Sequence, residues 1–130
     1  DKIEILDSAN RVNVVDYKTG KPKSRNVIAG NTASSDVNYK RQLIFYNLLL
    51  NKFSDGKYKM ASGDIDFVEP DEKGKFKKET FIINPEEVVE LEELIKKAGV
   101  EIMSLSFWDK TCEDKECKYC ELRRVMVAKD

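Results

Sequence analysis

Polar and apolar residues alternate with period two along residues 2–7, KIEILD, the pattern of a half-buried strand. The turn residues Ser8-Ala9-Asn10 lead into the Val-rich RVNVVDYK, a second strand that pairs with the first as a hairpin. Residues 19–37 hold Gly, Pro, Ser, Asn and Thr without apolar periodicity, which predicts a long loop of the functional or mobile kind. Asn38 or Asp36 then caps a helix over Tyr39–Lys52. Its apolar side chains, at Leu43, Tyr46 and Leu50 and at Ile44, Phe45, Leu48 and Leu49, predict burial on more than one side. Ser54-Asp55-Gly56 ends it. Two further strands follow, KYKMASGDIDFVE and KFKKETFIIN, joined by the turn Pro70–Gly74. Asn84-Pro85-Glu86-Glu87 is a helix start, with an Asn cap, Pro at the first helical position and acids at the positive end. That helix runs to Lys97 or Ala98, where Gly99 either stops it or interrupts a helix continuing to about Ser104. A cysteine-bearing loop and a short helical tail, ELRRVMVA, close the chain. Strand-strand-helix-strand-strand-helix, with no internal repeat, predicts an α/β or α+β sheet with helices packed on it.

Composition narrows this little. The 130 residues suit a single domain with one core, and 41% hydrophobic against 36% charged residues describes a globular chain with a charged surface. No apolar run reaches the roughly 18 residues that cross a membrane, and no signal peptide is visible. The chain begins at Asp1 and not Met, as a piece of a longer protein would. The net charge of −1 is unevenly spread. Lys18–Lys59 carries nine Lys/Arg against two Asp/Glu, while Met60–Leu122 carries nine Lys against seventeen Asp/Glu. One basic face for phosphates fits that asymmetry, and so does plain solvated surface. Cys112, Cys117 and Cys120 are an odd number within nine residues, a poor disulfide framework that points to a reducing, cytoplasmic setting.

Chemistry concentrates in Val14-Val15-Asp16-Tyr17-Lys18. Alternation along a strand puts Asp16 and Lys18 on one face and Tyr17 on the other. A carboxylate can hold Mg²⁺ or Mn²⁺ beside a substrate phosphate, the Tyr17 carbonyl can be a further ligand, and the ammonium can orient water or offset charge on phosphorus. Alone, Asp-x-Lys also fits a surface ion pair at a strand end. Two additions strengthen it. Asp1, on the preceding strand, comes opposite Asp16 in a hairpin. Gln42 and Tyr46, spaced i, i+4, share one helix face, although a surface Gln and a core Tyr with its hydroxyl at the edge fit that spacing too. In the loop, Lys21, Lys23 and Arg25 are placed either to touch a nucleic-acid backbone or simply to be solvated.

Taken together, DKIEILD, VVDYKTGK and QLIFY resemble the RecB-like branch of the PD-(D/E)xK nuclease superfamily, whose usual pattern is D-R-I-D, then D-Y-K-[ST], then Q-x-x-x-Y. The resemblance spans nearly the whole chain. It implies an α/β, restriction-endonuclease-like mixed central sheet flanked by helices, residues 1–130 forming a single nuclease domain. The upstream helix, which in relatives carries a further His or Glu for the metal, would precede Asp1. It further implies that Asp1 and Asp16 hold Mg or Mn, with the Tyr17 carbonyl read above as a further ligand, that Asp16 and Lys18 are catalytic, and that Gln42 and Tyr46 organise DNA and the site. Many relatives end in C-x-x-C followed, after five intervening residues, by a third cysteine, holding a [4Fe–4S] cluster with an upstream cysteine. Here Cys117-Lys118-Tyr119-Cys120 matches the pair, but Met126 stands at the third position and Cys112 is extra. Within the tail of residues 106–130 the three thiols therefore read as a cluster remnant, packed as small hydrophobes or left free, and no iron–sulfur cluster is expected in this chain.

The function expected is metal-dependent hydrolysis of DNA phosphodiesters, with single strands delivered by a helicase domain or subunit in DNA repair. Its alternatives are a catalytically inactive DNA- or partner-binding module and a small thiolate zinc domain.

Overall fold

The computed structural model describes residues 1–32, 38–106, 108, 110–114 and 116–127, the last by its backbone. Asp36, one of the two expected caps, lies outside them. The chain divides into two compact units, Asp1–Glu93 and Leu94–Asp130.

The first unit is a four-stranded mixed sheet in the order β1-β2-β3-β4. Strands β1 (Lys2–Ile5) and β2 (Arg11–Lys18) form the expected antiparallel hairpin, Lys2 facing Val15 and Ile5 facing Val12. Asp7 builds its turn: its carboxylate accepts from the Ala9 and Arg11 amides at 3.0 and 3.1 Å and from the Arg11 guanidinium at 2.6 Å. Strand β3 (Lys59–Phe67) runs parallel to β2, with a register shift at Val12/Asn13, and β4 (Lys77–Phe81) is antiparallel to β3. A parallel neighbour needs a crossover. Two helices provide it, α1 (Arg25–Ala29) and α2 (Asn38–Lys52), closed by a 3₁₀ turn at Phe53–Gly56.

Helix α1 lies where the sequence predicts only loop. Five residues are too few to show a period, but both caps are present. The Ser24 hydroxyl accepts from the Val27 amide, and Gly30, at φ 85°, ends the helix in the left-handed conformation. Its Ile28 is fully buried in the core with Leu43, Leu48, Ile65, Phe67, Phe81, Ile83 and Val88. Helix α2 is more one-sided than its composition suggests. Leu43, Leu48 and Leu50 are buried while Phe45 and Leu49 are exposed. Gly63 on β3 sets how closely it approaches: a Cβ there would lie 3.0 Å from a Leu43 methyl and 2.6 Å from Met60 Cε.

Helix α3 (Pro85–Met103) starts at the expected place, the Glu87 carboxylate reaching back to the Asn84 amide at 3.1 Å, and it continues straight through Gly99. Lys40–Glu87 and Lys52–Glu92 ion pairs tie its first half to α2. In the second unit, helix α4 (Lys118–Val127) begins three residues before the expected tail helix. Among the described residues, no helix is long and apolar enough to cross a membrane.

Candidate active site

The end of β2 places the central residues. Val12, Val14 and Asp16 point toward α2, and Asp16 is 3% exposed. Lys18, one alternation further, brings its ammonium 2.6 Å from Asp16 Oδ2. Tyr17 is turned away and half exposed. Continuing the hairpin register one step beyond Lys2–Val15 puts Asp1 opposite Asp16, and Asp1 Oδ1 accepts the Tyr17 amide at 3.2 Å.

Helix α2 supplies the roof. Gln42 Oε1 accepts a short hydrogen bond from Lys18 Nζ. One turn on, the Tyr46 hydroxyl donates to Asp1 Oδ2 and lies 3.5 Å from Asp16 Oδ1. A phenol carries one proton, so it donates to one carboxylate and stands against the other. Burial, then the Asp16 charge and its hydrogen bond, push the Tyr46 phenol above its ordinary value, which keeps it a donor. Asp1, Asp16, Lys18, Gln42 and Tyr46 therefore converge as the sequence pattern expects.

Buried carboxylate oxygens are ordinarily hydrogen-bonded. Asp16 Oδ2 is buried yet accepts no hydrogen bond from the described residues. The Lys18 ammonium stands 2.6 Å from it as an ion pair while also donating to Gln42, so this oxygen is held by that ion pair alone. Two converging carboxylates, one oxygen of which has no fixed hydrogen-bond donor, suit a hard divalent cation, which prefers oxygen ligands, and the Tyr17 carbonyl lies between the two acid-bearing positions. The residues present fit such an ion.

The basic loop divides. The Gly20 amide donates to the Glu69 carboxylate at 2.8 Å, fixing the loop's start. Lys21 is exposed, with Glu72 3.8 Å away, and Lys23 is exposed. Arg25 is engaged inside the fold: its guanidinium donates to Glu79 at 3.0 Å and to the Thr80 carbonyl at 2.9 Å, and sits 4.4 Å from the Phe81 ring centroid. A cavity of about 450 Å³ opens beside Asp1 and Tyr46, walled by Ile3, Val14, Leu49 and Leu50. Its apolar walls make it a poor seat for a phosphate.

One contact falls outside the sequence reading. The Tyr39 ring lies 5.6 Å from Lys18 Nζ, close enough for a cation–π contact. Tyr39 precedes Gln42 by three and Tyr46 by seven, so the helical spacing that pairs those two also reaches it.

In the second unit, Cys112, Cys117 and Cys120 are free thiols, Cys112 exposed and the others half-buried, and they are not packed into the core.

A family model described as the PD-(D/E)XK nuclease superfamily matches residues 1–125. The chain belongs to the PD-(D/E)XK nuclease superfamily. The mixed sheet flanked by helices is consistent with the restriction-endonuclease-like fold of that superfamily, and Asp16-Tyr17-Lys18 has the form (D/E)xK. No curated protein and no solved structure matches the chain.

Proposed function

We propose that this nuclease domain is a Mg²⁺- or Mn²⁺-dependent deoxyribonuclease of the RecB-like kind, acting on DNA single strands delivered by a helicase domain or subunit during repair. The observation that carries the reading is the convergence of Asp1 and Asp16 about Tyr46, with Asp16 Oδ2 buried and held only by the Lys18 ion pair. The helicase partner and the single-strand preference rest on the resemblance of DYKTGK and QLIFY to that branch.

Asp1, Asp16 and the Tyr17 carbonyl would hold the metal. When bound, such an ion polarises the phosphate and makes water a better nucleophile. The chain's own groups do the rest. Lys18 lies on the same strand face as Asp16, where its ammonium orients the attacking water and offsets the negative charge that builds on phosphorus as the new P–O bond forms and the leaving P–O bond breaks. Gln42 holds that ammonium through its Oε1 and Tyr39 limits its sideways freedom. Tyr46 fixes the Asp1 carboxylate against Asp16. Lys21 and Lys23 meet backbone phosphates, which position a strand without reading its sequence. Arg25, already bound to Glu79 and Thr80, anchors α1 and the loop.

A second reading, a module that binds DNA or a partner subunit without cutting, is favoured by the Lys18–Asp16 ion pair, which closes the carboxylate in the absence of metal. One experiment separates the two. Mn²⁺ binding by calorimetry and Mn²⁺-dependent cleavage of single-stranded DNA are measured on the chain and on Asp16→Ala. Loss of both in the variant supports the nuclease. DNA binding with no metal uptake in the parent leaves the non-cutting module, and cleavage that survives Asp16→Ala sinks the site assignment.

A further inference from the structure

The three thiols of the second unit play no part in the nuclease site, yet they meet. Their Sγ atoms all lie within 4.8 Å of one another, and Cys112 and Cys120 are 3.5 Å apart. With zinc–sulfur bonds of about 2.3 Å, two sulfurs on a tetrahedral ion stand about 3.8 Å apart. The observed cluster brackets that spacing, so adjustments on the order of 1 Å would bring all three sulfurs onto one ion.

We propose that Cys112, Cys117 and Cys120 form a three-thiolate zinc site with one coordination position left for a further ligand. The local structure supplies two sulfurs from one short segment. Cys117 immediately precedes α4 and Cys120 lies in its first turn, so both stand at the positive end of the helix, where a thiolate is favoured. Cys112 arrives from the preceding loop, its Sγ 3.8 Å from the Asp114 carbonyl.

The donor set selects the metal. Thiolates suit zinc or iron–sulfur clusters better than Mg²⁺ or Mn²⁺. The three sulfurs lie within 4.8 Å of one another, close to the spacing of ligands on one tetrahedral ion, which favours a single zinc over a multinuclear cluster. Zinc accepts three protein ligands and a water. Bound metal would staple Cys112 and its neighbours to α4, a closure that stabilises a segment with few buried side chains among those described.

The test uses the whole chain, purified under reductant from zinc-supplemented medium and desalted. Elemental analysis is expected to find stoichiometric zinc. Replacement by Co²⁺ is expected to give thiolate-to-cobalt charge-transfer bands together with the intense d–d bands of a tetrahedral ion, which an oxygen-ligated ion at Asp1 and Asp16 does not produce. Cys112→Ser, Cys117→Ser and Cys120→Ser are each expected to weaken zinc binding about a hundredfold or more. Alkylating the thiols of the unmutated, metal-free chain before adding Co²⁺ removes the same bands without relying on a variant that folds. Absence of zinc and of the cobalt bands overturns the proposal, as does cobalt binding unchanged by alkylation. Iron and acid-labile sulfide in anaerobically purified protein overturn it in favour of a cluster. A Cys112–Cys120 disulfide that resists the reductant overturns it in favour of a covalent staple.

Discussion

The two faces of the sheet each bury an aspartate, and the environments are opposite. Asp64 on β3 is 5% exposed, and both of its oxygens are served. Asn13 Nδ2 donates to one at 2.9 Å, the Thr80 hydroxyl donates to the other at 2.7 Å, and the Lys78 ammonium stands 3.7 Å away. Asn13 is itself satisfied, its Oδ1 accepting from Ser62 at 2.8 Å and its amide also reaching Glu4 at 3.1 Å. Asp16, on β2 and facing α2, is 3% exposed, and among the described residues its Oδ2 is held only by the Lys18 ion pair. Asp64 lies opposite Val15, the residue beside Asp16, so the two acids are neighbours in register on opposite faces. A buried charge surrounded by fixed donors is part of the framework, and its removal strands those donors. A buried carboxylate oxygen held by one ammonium and by no fixed hydrogen-bond donor can exchange that partner for a ligand, the pattern expected of a site.

That contrast is broken most directly by removing each acid in turn. Asp16→Ala is expected to abolish Mn²⁺-dependent cleavage, by on the order of 10³-fold, while moving unfolding free energy by less than about 1 kcal/mol. Asp64→Ala is expected to do the reverse. It leaves Asn13 and Thr80 without their partner and should cost about 2–3 kcal/mol in urea unfolding, with cleavage per folded molecule nearly unchanged. Activity lost in both variants at equal stability would erase the distinction between the faces.

The two acids also differ in how far the sequence exposes them. Asp16 and Lys18 are two residues apart on one strand, so alternation alone aligns them. Asp1 follows from the hairpin turn, and Gln42 with Tyr46 from helical spacing. All of these contacts depend on short-range rules plus a single packing of α2 on the sheet. The Asn13–Asp64 contact joins residues 51 apart across a parallel crossover. Its register contains a shift at Val12/Asn13 that no local pattern announces. Tyr39 was hidden for another reason: an aromatic on an apolar helix reads as core until the strand end beneath it is known. The cysteines show spacing in sequence, but their convergence depends on the path of the loop between Cys112 and α4. The short helix α1 left only its caps as signals, Ser24 and Gly30.

A smaller effect sharpens the reading of the open face. Tyr46 joins Asp1 to the site through its hydroxyl, and its ring also packs beside Val12, Val14 and Leu50. Tyr46→Phe keeps that packing and removes the donor. Mn²⁺ affinity is expected to fall roughly tenfold, because Asp1 is no longer held against Asp16, with stability near that of the parent. A comparable change at Thr80, to Val, removes a donor from Asp64 instead and is expected to lower stability by about 1 kcal/mol without altering metal affinity. Equal losses of affinity in the two variants would mean that metal binding reads overall stability and not the geometry of the open carboxylates.

The smallest expected effect is on pH, and it arises where the satisfied face meets the hairpin that carries Asp1. Hydrogen bonds from Lys2 first and Asn13 second hold the Glu4 carboxyl below its ordinary value of 4.5. The Arg11 guanidinium and amide hold Asp7, at the hairpin turn, below its ordinary 3.8. A carboxyl depressed in the folded state contributes stability at pH above its unfolded value, and that contribution is lost as pH falls through the folded value. The β1–β2 hairpin should therefore loosen from about pH 4.5 downward. Both carboxylates are exposed to solvent, so the change is local and does not unfold the sheet. Amide hydrogen exchange, corrected for its intrinsic pH dependence, should report faster opening of Lys2–Ile5 at low pH while the β3 amides keep their protection. Glu4→Gln retains an acceptor for Lys2 and Asn13 and cannot titrate, so its hairpin should already exchange somewhat faster at neutral pH and lose part of the acid dependence. If β1 and β3 instead open together on acidification, the hairpin is not a separable unit, and Asp1 owes its position to the whole sheet.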